Sequence, residues 1–284
     1  MLLKVIAGEA SCAVSHCGGT TLSGGPALPE RLETSNVIVV EAISSHEALQ
    51  CCGLRRTVAV EDALKTIFKM VGQGESATTS ALAQRLGVTA PTVSAMLKRL
   101  ATHGLVQRGP DQTATLTAHG IEHATAVIRR HRLLETFLAR VLDVPWDEVH
   151  AEAEVLEHAV SDQLLARIDE HLGHPIADPH GDPIPPFSGA HSEQWGERLD
   201  QVETGRMFRV ERVDDRDSAA LRYLASIGIR PGVFLAVVRR APFGGPLWLR
   251  VNGRDEALGE QLTAFVHGRS SNPVTATTAD GEHP

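Results

Sequence analysis

The sequence predicts a mainly α-helical protein that ends in a small β domain, and three patterns carry that prediction. Apolar residues recur at helical spacing between Glu61 and Gly173, a Pro/Gly-rich stretch follows, and residues 204–269 alternate short apolar runs with Gly-Pro turns. The chain of 284 residues is long enough for two or three domains, each able to bury its own core. Its hydrophobic content of 42% is ordinary for a globular protein, whereas aromatics make up only 4%, so aliphatic side chains must do most of the packing. No apolar run approaches the ~20 residues of a membrane span. The opening MLLKVIAGEASCAV, with one lysine and an apolar patch interrupted by Glu9, makes a poor secretory signal. These features predict a cytoplasmic protein without a membrane role.

Residues 1–57 lack sustained periodicity and contain turn formers such as CGGTTLSGG; they read as an extension, either disordered or the result of a start placed too far upstream. All four cysteines (Cys12, Cys17, Cys51 and Cys52) fall there, so the body of the protein has neither a disulfide framework nor a thiolate metal site. A zinc site among these cysteines is conceivable, but their spacing matches no strong template. From Glu61 the pattern is regular: EDALKTIFKMV places Ala63, Leu64, Ile67, Phe68 and Val71 on one helical face. TTSALAQRLGV predicts a short helix capped by Thr79 or Ser80 and closed by Gly87. TAPTVSAMLKRLATHGLV predicts another, with Pro91 in the first turn, where its missing N–H costs little. Two short helices about a turn apart make a helix-turn-helix, and LVQRGPDQTATLT adds two short strands around a Gly-Pro-Asp turn. Residues 58–118 are therefore expected to form a winged helix-turn-helix.

Charge separates two tasks along the chain. Residues 79–140 carry eight Lys/Arg against three Asp/Glu, a net of +5, and residues 141–200 carry two Arg against 14 acids, a net of −12. The overall −8 thus hides a basic segment suited to DNA beside an acidic one. Three packed helices with a hairpin and no DNA role would explain the helix pattern but not this local charge.

Residues 119–180 predict a helical domain. One long helix runs from Thr117, its cap, to Leu142; a second runs from Pro145 to Gly173 with Asp147 and Glu148 in its first turn, where the helix dipole favours them. Both are long enough to leave a face for a second copy, which predicts a dimerisation domain. DPHGDPIPP cannot stay helical, so residues 181–203 read as a linker. Residues 204–269 read as an SH3-like β-barrel with one short helix near Ser218–Ile227, and residues 270–284 as a disordered tail.

HAEAEVLEH, His150 to His158, crowds two histidines and three glutamates into nine residues. At about 100° per residue, His150, Glu154, Glu157 and His158 share one side of a helix. A solvated acidic face is the bland explanation. These positions, however, should pack toward the preceding helix, where unpaired carboxylates would repel, and a divalent cation removes that conflict. The preceding helix offers His131 and Glu135, an i, i+4 pair, as a second set. Carboxylate and imidazole donors without sulfur suit Mn(II) or Fe(II) rather than Zn(II) or Cu(I).

The order of these motifs, with His-Arg-Leu-Leu-Glu at His131–Glu135, Val149–His158 and Gly-Asp-Pro-Ile-Pro at Gly181–Pro185, resembles the metal-dependent transcription repressors typified by the diphtheria toxin repressor. The resemblance covers roughly residues 58–268. It implies a homodimer that, loaded with manganese or iron, binds palindromic operators and silences metal-uptake genes. It also implies that Asp62, Glu154, Glu157 and His158 form one metal site. Aspartate and glutamate at positions 62 and 154 are similar to the manganese-responsive branch, where iron-responsive members carry methionine and cysteine; an Fe(II)-dependent repressor is the alternative. His131, Glu135 and His150 resemble an ancillary site completed from the SH3-like domain. Asp217 falls at one such position, but Ala220 at the other cannot coordinate. Short manganese regulators have a ligating glutamate where this chain has Lys65, so their closely spaced binuclear centre does not carry over intact.

On the recognition helix, Pro91, Thr92 and Ser94 are expected to face base edges, and Thr79, Ser80, Lys98 and Arg99 to hold phosphates. Ala95 stands where some relatives present a glutamine, so direct readout is thin and DNA shape matters more. A carboxylate-bridged dimetal enzyme is the competing class, but it needs Glu-x-x-His on two helices and neither long helix contains one. The sequence therefore predicts a regulator, not an enzyme.

Overall fold

The computed structural model describes residues 53–54, 57–109, 111–187 and 195–272, all within the compact unit Ile43–Pro284. The four cysteines and any zinc site they could form lie outside the described residues, as does the tail beyond Asn272.

Helix α1 (Val58–Gly72) buries Val60, Ala63, Leu64 and Ile67, spaced three and four apart. Helix α2 (Thr79–Leu86) starts one residue before the expected cap: extended Thr78 accepts from the Ala81 amide at 3.2 Å, which leaves Thr79 and Ser80 inside the first turn. Gly87 closes it at φ 65. Thr89 caps α3 (Ala90–Thr102), with Pro91 in the first turn, and strands β1 (Val106–Arg108) and β2 (Ala114–Leu116) pair antiparallel as the wing. Ile67, Leu82, Leu97, Leu100 and Leu105 form one core with Ala124 and Ile128 of the next helix. Leu54, on the far side of the expected start at Val58, belongs to that core too.

Thr117 caps α4 (Ala118–Val141), accepting from the Gly120 amide at 3.0 Å. Gly120 is needed: a Cβ there would stand 2.0 Å from the Leu105 carbonyl oxygen, so its absence lets α4 lie against the wing backbone. The second long helix is interrupted. Helix α5 (Val149–Leu156) ends where the Ala159 and Val160 amides turn back to the Leu156 carbonyl, and Ser161 caps a new helix, α6 (Asp162–His171). Glu157 and His158 therefore lie in the turn after α5 and not on the face of one continuous helix. At the other end Pro145 accepts from the Glu148 and Val149 amides in a turn that precedes α5, and Asp147 pairs with Arg222 at 2.7 Å.

The β domain is a six-stranded antiparallel sheet of order β3-β8-β4-β5-β6-β7. Its members in chain order are β3 (Glu197–Arg198), a 3-10 turn (Leu199–Gln201), β4 (Met207–Val213), α7 (Ser218–Ser226), β5 (Phe234–Arg240), β6 (Leu247–Val251), β7 (Arg254–Leu258), α8 (Glu260–Thr263) and β8 (Val266–Ser271). Register shifts at Val210/Arg212 and Val237/Arg239 bend the sheet around Phe208, Val210, Leu221, Leu235 and Leu249 in the SH3-like manner expected. Two details differ from the sequence reading. Glu260–Thr263 is a helical turn, not strand, and Leu199 and Val202 sit in this core, so residues 197–203 belong to the β domain and not to a linker.

The first part of the expected linker is also built in. Trp146 donates to the Pro179 carbonyl, Val213 to that of His180, Arg132 to that of Pro183 and Arg129 to that of Pro185. Asp182 takes Arg132 at 3.0 Å and Arg212 at 2.5 Å. Residues 178–185 are thus bolted between α4 and β4. Among the described residues no helix is long and apolar enough to cross a membrane.

Gly181 has φ +88, and a Cβ there would stand 1.9 Å from the Glu211 carbonyl oxygen, whereas Gly74 at φ +75 has open space. Gly181→Ala should cost about 3 kcal/mol or more and Gly74→Ala about 1 kcal/mol. Thermal denaturation of the two variants measures the difference.

Candidate metal centre

One side of α1 is polar: Glu61, Asp62 and Lys65 face the turn that follows α5. That turn brings Glu157 and His158 back against α1. His158 Nδ1 lies 2.7 Å from Glu61 Oε2, and its Nε2 lies 3.2 Å from Asp62 Oδ1 and 3.4 Å from Glu157 Oε1. Glu61, itself buried and 3.5 Å from Arg130 Nη1, thereby orients the ring so that Nε2 faces the carboxylates. Lys65 Nζ donates to Glu154 Oε1 at 2.8 Å and Glu157 Oε1 at 2.6 Å. Asp62 Oδ1 lies within ion-pair distance of His158, but this buried oxygen has no hydrogen-bond partner. Burial pushes the Asp62 carboxyl up, against Lys65 and His158, which pull it down.

A second cluster lies deeper, reached through His131 of α4. Its Nδ1 is 2.5 Å from Glu157 Oε2 and its Nε2 is 3.0 Å from Glu135 Oε1, so one ring touches both clusters. His150 of α5 adds Nδ1 at 3.1 Å from Glu135 Oε1 and 3.0 Å from Oδ2 of Asp215, in the loop after β4. His131, Glu135, His150 and Asp215 each offer a donor atom within 4.8 Å of the others.

Beside it stand Glu135, Asp178 and His180, also within 4.8 Å and all buried. His180 Nε2 donates to the Trp146 carbonyl at 2.9 Å, which leaves Nδ1 with the lone pair in the neutral ring. Asp178 Oδ1 accepts from the amides of His180 and Asp182 at 2.8 and 2.9 Å. The atoms left over are His180 Nδ1, Glu135 Oε2 and Asp178 Oδ2, each buried without a hydrogen-bond partner. The Arg132 guanidinium, 3.8 Å from Asp178 Oδ2, offsets part of this charge, but three buried lone pairs without hydrogen bonds in one spot are costly unless a cation or protons lie between them.

The electrostatics agree with cation sites. Burial works against ionised Glu157, but the His131 hydrogen bond and the charges of His131 and Lys65 hold its carboxyl at about 2. Burial likewise opposes a charged His150, yet Asp215 and Glu135 lift it to about 10. His131 is raised against burial by Glu135, and Asp215 is held well below its usual range, against burial, by Lys69 and His150. These carboxylates thus hold protons on His131 and His150, which a divalent ion would have to displace to bind there. The donors are carboxylate oxygens and imidazole nitrogens with no sulfur, a set that fits Mn(II) or Fe(II).

Of the residues expected from sequence, Asp62, Glu157 and His158 come together in one group, Glu154 joins His131 and Glu157 in another, and His131, Glu135 and His150 in a third. Asp217 does not join them. It is exposed and caps α7, accepting from the Ala219 and Ala220 amides at 2.9 and 3.1 Å, and Asp215, two residues earlier, makes the contact instead. Sequence reasoning also missed Asp178 and His180. Their signal was DPHGDP, an Asp and a His two apart, which reads as a turn until β4 and α4 close around it. On α3, Val93, Leu97 and Leu100 are buried while Pro91, Thr92, Ser94, Lys98 and Arg99 are exposed; Ser80 is exposed and Thr79 takes Arg108 of the wing at 3.1 Å.

Comparison with known proteins places each part. Residues 57–114 match the iron dependent repressor, N-terminal DNA binding domain; residues 117–186 match the iron dependent repressor, metal binding and dimerisation domain; residues 197–267 match the FeoA domain. The chain is 38% identical to the iron-dependent repressor IdeR of Mycobacterium tuberculosis over 122 residues, which is 43% of this chain and 53% of that protein. The match thus spans about half the length of that relative. It is 31% identical to the diphtheria toxin repressor of Corynebacterium efficiens over 185 residues, 62% of this chain and 80% of that one. A solved manganese-dependent transcriptional repressor in complex with manganese superimposes with a TM-score of 0.69 at 43% identity, covering 75% of this chain and all of the other.

Two outcomes are expected. Asp215→Asn should lower the number of Mn(II) ions bound per protomer, whereas Asp217→Asn should leave it unchanged and cost only a helix cap, about 1 kcal/mol; equilibrium dialysis and thermal melts separate the two. Glu157 has a folded value near 2 against an ordinary 4.5, so its contribution to stability is complete above pH 4.5 and is lost as pH falls from there through 2. Acid denaturation of Glu157→Gln should lack that component.

Proposed function

The chain belongs to the iron-dependent repressor family, and from that premise we propose that it is a Mn(II)-activated, DNA-binding transcriptional repressor of metal-uptake genes. It acts in the cytoplasm as a homodimer on palindromic operators and catalyses no reaction. The observation that carries this reading is the placement of Asp62 on α1, the first helix of the winged helix, against Glu157 and His158 of the helical domain, with Glu154 reaching Glu157 through Lys65. Asp62, Glu154, Glu157 and His158 would hold one ion. His131, Glu135, His150 and Asp215, with Asp178 and His180 alongside, would hold the other. A bound ion would supply a divalent charge shared among these carboxylates in addition to the Lys65 and histidine partners they have.

The remaining work belongs to the chain. Helix α1, which carries Asp62, shares the core of the winged helix with α3 through Leu64 and Ile67, so fixing Asp62 against the helical domain fixes the orientation of α3. In a dimer this sets the spacing of the two recognition helices for successive major grooves. Lys98 and Arg99 then meet phosphates, and Pro91, Thr92 and Ser94 meet base edges. Linkage requires that DNA raise metal affinity by the same factor that metal raises DNA affinity. Carboxylates at positions 62 and 154 favour Mn(II); an Fe(II)-dependent repressor of iron-acquisition genes is the second reading, supported by the iron-dependent relatives.

Fluorescence anisotropy of operator-like DNA with metal-stripped protein, titrated with Mn(II) and Fe(II) separately without oxygen, tests this. Tight binding is expected only with metal and best with Mn(II), and Glu154→Cys should shift the preference toward Fe(II). Binding indifferent to metal would reduce the acidic cluster to a structural feature. Arg99→Ala should weaken binding to all sequences and lower the salt slope by about one unit; a loss confined to one operator would contradict its phosphate role.

A further inference from the structure

The feature of the α1 cluster that this reading leaves unused is Lys65. Its side chain is only 7% exposed, and its ammonium lies between Glu154 Oε1 and Glu157 Oε1 at 2.8 and 2.6 Å. Glu157 Oε1 is also the atom 3.4 Å from His158 Nε2. The lysine therefore rests on the oxygen that faces the ligand histidine, and it does so from α1, one helical turn beyond Asp62. Each carboxylate it touches is one that the metal reading needs.

We propose that Lys65 is a tethered cation that competes with the metal for Glu154 and Glu157 and sets how much metal the protein needs. The proposal rests on Asp62, Glu154, Glu157 and His158 being a metal site. Three physical points support it. An ammonium is a single positive charge with three donors, so it can satisfy these two oxygens but makes no hydrogen bond to Asp62 Oδ1, which a divalent ion with more ligand positions can also engage. Its charge close to an arriving cation is repulsive in a partly buried site, where screening is weak. Its four-carbon stem is flexible, so Nζ can withdraw past Glu154, whose side chain is 38% exposed, without any backbone change. In the metal-free protein the same lysine joins α1 to the turn after α5, holding the winged helix near its active placement. Metal then replaces one cross-link with a stronger one instead of assembling the site from separated parts.

The test compares wild type with Lys65→Met, which keeps the length and apolar stem without the charge, and with Lys65→Arg, which keeps the charge. Mn(II) affinity is read by electron paramagnetic resonance of the free ion against a chelator, and α1 is followed by hydrogen exchange in metal-free protein. Lys65→Met should bind Mn(II) at this site at least tenfold more tightly and, without metal, exchange faster in α1, while Lys65→Arg should stay within about threefold of wild type. Unchanged or weaker Mn(II) affinity in a folded Lys65→Met would overturn the proposal. Should Lys65→Met not fold, a crystal structure of the Mn(II)-loaded wild type decides: Nζ must have left Glu154 and Glu157, and finding it still between them sinks the idea. Asp62→Ala run alongside separates the two levels. If it leaves the Mn(II) stoichiometry unchanged, the metal site itself is wrong; if it loses one ion while Lys65→Met binds as wild type does, only the role of the lysine is.

Discussion

The Glu157 carboxylate is the point on which the helical arrangement depends. It is fully buried, and burying an ionised carboxylate is tolerable only with charged partners on its oxygens. Lys65 of α1 takes Oε1 and His131 of α4 takes Oε2. One side chain in a turn therefore joins the winged helix to the long helix of the dimerisation domain. The turn exists because Ser161 starts a new helix four residues later and the chain between has to reverse.

From His131 the same network runs on into the β domain. Glu135 and His150 pass it to Asp215, while Arg132 and Arg212 meet on Asp182. These contacts are ionic and buried, so they weigh less as net stability than as a requirement for one arrangement: removing one partner leaves an uncompensated charge. The orphaned atoms on Glu135, Asp178 and His180 show where this compensation is incomplete. That is where a cation has most to contribute, and it lies where α4, residues 178–182 and the loop after β4 converge.

Much of this was legible in the residues. The residues expected to face DNA on the recognition helix, Pro91, Thr92, Ser94, Lys98 and Arg99, are exposed opposite buried Val93, Leu97 and Leu100. The crowding of His and Glu from 150 to 158 carried the expectation of a cation site, and the absence of sulfur among those donors the expectation of Mn(II) or Fe(II). What failed did so for local reasons. Helical periodicity continues through the sequence around Glu157, because a turn of four residues hardly disturbs a pattern of period 3.6, so the break was invisible. Asp217 was carried over from the resemblance although a helix N-cap has its own use for an aspartate, and DPHGDP was read for its backbone preferences alone.

Read alone, the residues were enough for most of the helices and strands, though not for the break after Leu156 or the helical turn at Glu260–Thr263, and for the sorting of charge into a basic DNA-binding segment and an acidic one rich in carboxylate and imidazole donors. All of these arise from interactions within a few residues, which hydrogen-bond periodicity and composition record directly. Only the tertiary structure decided which donors share a site: Lys65 with Glu154 and Glu157, 89 and 92 residues apart, His158 with Glu61, 97 apart, and Asp215 with His150. Those pairings follow from the path of the chain through turns and loops, where side chains carry no period, and from the need of each buried charge to find an opposite one wherever the fold brings it.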